Sequence, residues 1–178
     1  MKKILPWITL LFLIGLNLGG GKALSQNAAL APMLLELFRE PIDQDKLDKL
    51  IFAAEQGDGL AQGTLAPMYY MGSRAPQDYK AAMKWAKLAG AQGLAAPCQI
   101  IATMYHFGQG VPKNNIYAYM WLTIAENYRA IITEANGRVH SDFNHPISMR
   151  LEKEMTLDQI STAKQLANEC ISKNYKDC

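Results

Sequence analysis

The sequence predicts an all-α protein, a short right-handed α/α solenoid of helix-turn-helix repeats with degenerate capping helices at its ends. The first observation is an internal repeat, because residues 53–88 align with residues 89–124 without a gap at ten identical positions. About two identities would be expected by chance from ordinary composition. The second observation is that apolar residues recur within each unit at the spacing of α-helices. The identical pairs are Ala53/Ala89, Gln56/Gln92, Gly57/Gly93, Ala66/Ala102, Met68/Met104, Tyr69/Tyr105, Gly72/Gly108, Pro76/Pro112, Ala82/Ala118 and Trp85/Trp121.

Residues 1–25 have the pattern of a secretory signal peptide. Lys2 and Lys3 precede a stretch of nearly continuous apolar residues from Ile4 to Leu18, and small residues follow it. This order of charged, apolar and small residues is typical of a cleaved leader. Cleavage is expected after Ser25, with Ala23 as an alternative. An uncleaved membrane anchor is the other interpretation, but the apolar run is shorter than the roughly 20 residues that a spanning helix needs.

The charge balance supports export and argues against a nucleic-acid partner. The whole chain has 18 basic and 16 acidic residues, a formal net charge of +2. Three of the basic residues and none of the acidic ones lie in the first 25 positions, which leaves 15 against 16 and a net charge of −1. No basic footprint for nucleic acid remains. The short n-region with its two lysines is typical of bacterial leaders, so we expect a bacterial periplasmic or secreted protein with no stable membrane insertion after cleavage.

Residues 26–56 are predicted to form a degenerate N-terminal repeat that caps the stack. A shift of the repeat back by 36 residues places Ala53 at the position of Ala89, whereas Lys49 takes the position of the tryptophan. Two helices are expected, over Leu30–Glu40 and Asp45–Glu55. Terminal repeats of a solenoid are atypical because one of their faces has no neighbouring repeat.

Each of the two full repeats, within residues 57–125, is predicted to begin with a helix, over Leu60–Met71 and then over Ala96–Phe107. Apolar residues four positions apart share one face of a helix. Gly72 and Gly108 then end these helices, because glycine adopts a left-handed conformation without steric cost. The residues predicted on the buried face are Leu65, Tyr69, Ile101 and Tyr105.

A turn through Pro76 or Pro112 leads to the second helix of each repeat. Asp78 and Asn114 occupy equivalent positions and are good N-cap residues. The second helices are predicted to direct two tryptophans, Trp85 and Trp121, toward the core.

The two repeats share a pattern of glycine, alanine and aromatic residues. In the first repeat it comprises Gly57, Ala61, Leu65, Ala66, Tyr69, Gly72, Asp78, Ala82, Trp85 and Ala89, and in the second Tyr105, Gly108, Gly110, Val111, Pro112, Ala118 and Trp121. This pattern resembles the Sel-one-like repeat, a relative of the tetratricopeptide repeat, over about residues 43–125. The resemblance implies an α-solenoid whose first helices line a concave surface. Pro67 departs from the pattern and is expected to kink its helix or force a local rearrangement.

Residues 126–178 are predicted to form C-terminal capping helices. One long helix is expected from Asn115 to Asn136, because apolar residues keep helical spacing past the position where the first repeat has its closing glycine. A polar loop over residues 138–145 leads to a helix opened by Pro146. Thr156 and Gln159 form a capping-box pattern for a last helix over Leu157–Ser172.

The three cysteines have different predicted roles in an oxidising compartment. Cys170 and Cys178, with seven residues between them, are predicted to form a disulfide that holds the end of the chain to the last helix. Cys98 has no predicted partner and is interpreted as a buried structural thiol.

No catalytic residues, cofactor or metal site are predicted. His140 and His145 lie in a polar loop that could hold a metal loosely, but a solvated loop is the favoured interpretation. Some exported members of the family with a cysteine pair in every repeat have been linked to β-lactam binding, and this chain lacks those pairs. An exported hydrolase or small-ligand binder of that kind remains an alternative, as does a structural scaffold of the cell envelope.

The predicted function is a protein–protein interaction module, a scaffold, adaptor or inhibitor of one exported partner. Steps of 100° around the first helices place a set of residues opposite the buried face. Methionine and aromatic side chains in that set favour a partner-binding groove, although packing under the end helices is an equally open interpretation. The candidate binding residues are Tyr70, Met71, Thr103, His106 and Phe107.

Overall fold

The computed structural model describes residues 43–135, 146–173, 175 and 178. These residues form seven α-helices, and no strand occurs among them. The helices are α1 (Gln44–Glu55), α2 (Gly59–Met71), α3 (Tyr79–Gly90), α4 (Ala95–Phe107), α5 (Asn115–Ala135), α6 (Pro146–Glu154) and α7 (Leu157–Ser172).

Successive helices pack against one another from α1 to α5, as expected for a stack of helix pairs. The first helices of the two full repeats, α2 and α4, also contact each other directly. At the far end, α5 packs against both α6 and α7. The predicted all-α solenoid is therefore confirmed for the described residues.

The core follows the 36-residue repeat. Leu65 and Ile101 are fully buried at equivalent positions of α2 and α4, and Trp85 and Trp121 are buried at equivalent positions of the second helices. Small residues accompany them, so that neighbouring helices approach closely. Tyr69 and Tyr105 lie at the edge of this core, half-buried.

The helix ends agree with the predicted signals. The carboxylate of Asp78 accepts hydrogen bonds from the backbone N–H groups of Lys80 and Ala81. Asn114 does the same for the first turn of α5. Gly72 and Gly108 close α2 and α4 in the left-handed conformation, with φ of 66° and 70°. Backbone N–H groups that would otherwise lack partners are thus satisfied by local side chains.

Pro67 does not end its helix. α2 continues through Pro67 to Met71, although proline removes one backbone donor and disfavours a helix interior. Leu65, Ala66 and Met68 on either side of it are buried. Tertiary packing of this face holds α2 together where local propensity opposes it.

The C-terminal helices match the predicted ones closely. α5 ends at Ala135, one residue before the predicted end, and the Thr156–Gln159 capping box opens α7. Several predictions lie outside the described residues. They are the leader over residues 1–25, the helix over Leu30–Glu40 and the polar loop over residues 138–145 with its two histidines.

The end of the chain is held to α3, α5 and α7. Cys170 and Cys178 form the predicted disulfide, with 5.5 Å between their Cα atoms. The ammonium group of Lys87 donates a 2.6 Å hydrogen bond to the carbonyl oxygen of Cys178. The ring of Tyr175 lies 5.0 Å from that of Tyr128, centroid to centroid. The tail therefore joins the last helix to the second helix of the first repeat.

No helix in the described part of the chain is both long enough and apolar enough to span a membrane.

Candidate interaction surface

Two of the predicted binding residues are well exposed and hold equivalent positions. Met71 is the last residue of α2 and is 61% exposed, and Phe107 is the last residue of α4 and is 55% exposed. The left-handed glycine that follows each of them turns the chain away. Each repeat therefore presents one large apolar side chain at the same end of its first helix.

The predicted outward orientation is wrong for His106. Its side chain is only 4% exposed, and its Nδ1 lies 3.4 Å from Oδ1 of Asn115 at the start of α5. The reason is that α5 packs over this side of α4. The prediction counted 100° steps around α4 alone, and these steps contain no information about α5.

Tyr70 and Thr103 are half-buried and already hydrogen-bonded. The Tyr70 hydroxyl donates a 2.8 Å bond to Oε1 of Gln109, in the turn of the second repeat. The Thr103 hydroxyl donates a 2.7 Å bond to the carbonyl oxygen of Gln99 in its own helix. These two residues are therefore less available to a partner than Met71 and Phe107 are.

The turn of the second repeat packs against the first residue of α3. A Cβ atom added at Gly110 would overlap Cβ of Tyr79, closer than two non-bonded carbon atoms can approach. The ring of Tyr79 lies 5.9 Å from that of Tyr70. The ends of α2 and α4, the start of α3 and both turns therefore meet at one end of the helix stack.

Three further residues at this end were not predicted from the sequence. Tyr117, in the first turn of α5, is 38% exposed and stacks on Tyr105 at 5.2 Å between ring centroids. Lys80 follows Tyr79 in the first turn of α3, and Lys113 lies beside Gly108, and both are exposed. We name this surface the turn face. It consists of Met71, Phe107, Tyr117, Lys80 and Lys113.

The two full repeats have an excess of positive charge that the whole-chain total hides. Residues 57–125 contain five basic residues and only two acidic ones, Asp58 and Asp78. Both carboxylates are N-caps that accept backbone hydrogen bonds. Both negative charges therefore lie at helix N-termini. A count of charges by segment predicts the basic character of this part of the chain.

Residues 61–94 and 100–127 match the family model of the Sel1 repeat. The chain carries two Sel1 repeats. The first match covers most of α2 and all of α3, and the second covers most of α4 and the first part of α5. Sel1 repeats typically serve as protein–protein interaction modules.

A solved structure with the same repeat supports this fold. It is a protective antigen present in uropathogenic Escherichia coli strains that displays an SLR fold, with a TM-score of 0.59 and 23% sequence identity. The match covers 73% of this chain and 27% of that chain, so the chain spans about a quarter of the length of that antigen. At this identity the likeness shows the fold alone. No curated protein sequence matches the chain.

Within the described part of these Sel1 repeats and their capping helices, no group of three or more metal-binding side chains occurs. Burial raises the pKa of the Cys98 thiol from 9.0 to about 12, which keeps it protonated and poorly nucleophilic.

The sequence contains one Ser-x-x-Lys pattern, from Ser161 to Lys164. Both residues lie in the middle of α7, are exposed, and line a shallow polar depression. A lysine that activates a serine is desolvated in a closed site, and this one faces solvent on the outer side of a single helix.

Proposed function

We propose that this Sel1-repeat chain is an exported protein–protein interaction module that binds one protein partner through the turn face. The observation that carries the proposal is the exposure of Met71 and Phe107 at equivalent positions of successive repeats. Methionine and aromatic residues are enriched in the cores of protein interfaces. A partner that covers both side chains removes their apolar surface from water, and this burial contributes favourable free energy to binding.

The neighbours of Met71 and Phe107 support a preformed surface. The hydrogen bond between Tyr70 and Gln109, and the close packing of Gly110 on Tyr79, fix the two turns relative to each other. A surface that is ordered before binding loses less conformational entropy when a partner binds. The turn face is therefore suited to act in a scaffold, an adaptor or an inhibitor.

The proposed location is the periplasm or the outside of a bacterial cell. The leader pattern over residues 1–25 supports it, as does the Cys170–Cys178 disulfide, because such bonds persist in oxidising compartments. N-terminal sequencing of protein recovered from the host tests it. A new N-terminus after Ser25 or Ala23 is expected, and recovery only of chains that begin at Met1 would contradict it.

The binding proposal is tested by affinity capture from an extracytoplasmic extract of the host. The full chain, expressed with its own leader and isolated after any processing, is compared with the double variant Met71→Ser/Phe107→Ser. Both side chains are exposed, so we expect the variant to fold with an unchanged circular dichroism spectrum. We expect one protein, captured at fixed stoichiometry by the unaltered chain, to be lost by the variant.

A matched control is available on the last helix. Leu157, in the first turn of α7, is 86% exposed and lies outside the turn face. Leu157→Ser also removes one exposed apolar side chain, and we expect it to retain the partner. Equal capture by the turn-face variant, or equal loss by the control, would contradict the proposal.

A further inference from the structure

We infer that the occupant of the turn face is an acidic, extended segment of the partner protein that carries two apolar anchor residues. This inference rests on the proposed function and specifies the chemistry of the segment that the surface recognises. It follows from the charges on the surface, the spacing of the two apolar side chains and the acidic groups at one border.

The charge of the turn face is positive where it meets solvent. Lys80 and Lys113 are exposed; Lys80 follows Tyr79, on which Gly110 packs, and Lys113 lies beside Gly108 in the same turn as Gly110. The nearby carboxylate of Asp78 accepts two backbone hydrogen bonds at the start of α3. Complementary charge steers encounter and sets the register of a bound segment, so aspartate and glutamate are the side chains that the two lysines favour.

The spacing of the apolar anchors suits an extended segment. Met71 and Phe107 end two helices, α2 and α4, that pack directly against each other. The axes of packed helices lie about 8–10 Å apart. An extended chain of polyproline type advances about 3.1 Å per residue with three residues per turn. Two apolar side chains three positions apart on such a segment can reach both anchors from one side.

The acidic border gives the bound segment a direction. On the α5 side of the turn face, Nδ2 of Asn115 lies 3.5 Å from a carboxylate oxygen of Glu154. The hydroxyl of Tyr119 donates a 3.1 Å hydrogen bond to Glu152, also on α6. These carboxylates repel acidic side chains. The acidic residues of the segment are therefore directed toward Lys80 at the start of α3, away from α6.

The experiment selects ligands without knowledge of the natural partner. A library of random short peptides is panned against the full chain, isolated after any processing, and the affinities of the enriched peptides are measured by fluorescence anisotropy. We expect enrichment of peptides with net negative charge and two apolar residues three positions apart. Their affinity is expected to fall with rising ionic strength, because exposed charge pairs are screened by salt.

Charge reversal supplies the matched comparison. Lys80→Glu/Lys113→Glu is expected to weaken binding of the acidic peptides by about tenfold. Lys80→Glu places a negative charge near the N-terminus of α3, which favours the helix, so loss of folding is not expected. The control Lys164→Glu/Lys173→Glu changes the net charge equally at two exposed positions of the C-terminal region, and we expect no loss of affinity there.

The outcomes separate this inference from the proposed function. If the enriched peptides are neutral or basic but lose binding to Met71→Ser/Phe107→Ser, the surface is right and its acidic occupant is wrong. If acidic peptides bind the double serine variant and the unaltered chain equally well, both are wrong. Failure to enrich any peptide, or equal weakening by the control lysine reversal, would also overturn the inference.

Discussion

The hydroxyl of Tyr70 and the side-chain amide of Gln109 are 39 positions apart in the chain and joined by a 2.8 Å hydrogen bond. Tyr70 is in the last turn of α2, and Gln109 is in the turn that follows α4. The bond therefore links the first helix of one repeat to the turn of the next. Its donor Tyr70 precedes the exposed Met71 in the chain, so the bond helps to hold the turn face in one arrangement.

A double-mutant cycle measures this link. Tyr70→Phe keeps the ring and removes the donor, and Gln109→Ala removes the acceptor. We expect a coupling of about 1 kcal/mol in the free energy of unfolding, a typical net value for one hydrogen bond. Urea denaturation of the four proteins checks it. Strict additivity of the two substitutions would show that the bond does not stabilise the folded chain.

Two glycine substitutions separate backbone strain from steric overlap. Gly57→Ala introduces a side chain at φ of 93° with no atom within 4 Å of the new Cβ, so it is expected to cost about 1 kcal/mol. Gly110→Ala, at φ of 72°, adds the overlap with Cβ of Tyr79 and is expected to cost about 3 kcal/mol or more. Thermal or urea unfolding of both variants compares these costs. Equal costs would contradict the close approach of the turn to α3.

The chain is expected to lose stability at alkaline pH. Burial raises the pKa of Cys98 from 9.0 to about 12, and burial with a hydrogen bond to Glu152 raises the pKa of Tyr119 from 10.0 to about 12. Burial, together with its bond to Tyr175, also raises the pKa of Tyr128. The unfolded chain releases these protons above pH 9.0 to 10.0, whereas folded Cys98 and Tyr119 keep theirs up to about pH 12, so stability falls as pH rises from about 9.0 toward 12.

The urea midpoint, measured from about pH 8 to about pH 11, checks this expectation. The midpoint should decrease over that range. Tyr119→Phe removes one of the titrating groups and should make the decrease less steep. A midpoint that stays constant or rises with pH would contradict the buried, protonated state of these residues.

Loss of the Cys170–Cys178 disulfide is expected to destabilise the chain by about 2–3 kcal/mol, the value for closure of a short loop. The bond spans a sequence separation of 8 and holds the tail against Tyr128 and Lys87. Urea unfolding with and without a dithiol reductant measures the effect. Cys178→Ser serves as the control, since the reductant should then have no further effect. Peptide mapping that finds both thiols free in the unreduced protein would contradict the bond itself.

Local signals predicted most of the helix boundaries. Asp78 and Asn114 cap their helices, and Gly72 and Gly108 end theirs, because each of these effects needs only a few consecutive residues. The exposure of the candidate binding residues was predicted less well. Met71 and Phe107 are exposed as expected, whereas His106 is covered by the start of α5, a contact that no single-helix pattern contains.

The sequence by itself determined the repeat, the all-α fold, the two tryptophan positions and the pairing of the last two cysteines. The repeat, the fold and the tryptophan positions depend on the spacing of residues along the chain and on backbone conformation. The cysteine pairing depends on the short separation of Cys170 and Cys178 in the sequence. Only the tertiary structure decided which side chains remain exposed after the helices stack. In the folded chain His106 is buried and Tyr70 is hydrogen-bonded to Gln109. Lys80 and Lys113 lie at the same end of the stack as Met71 and Phe107. The physical reason is that exposure is set by neighbours distant in sequence, whose side chains and turns cover a helix face or leave it open.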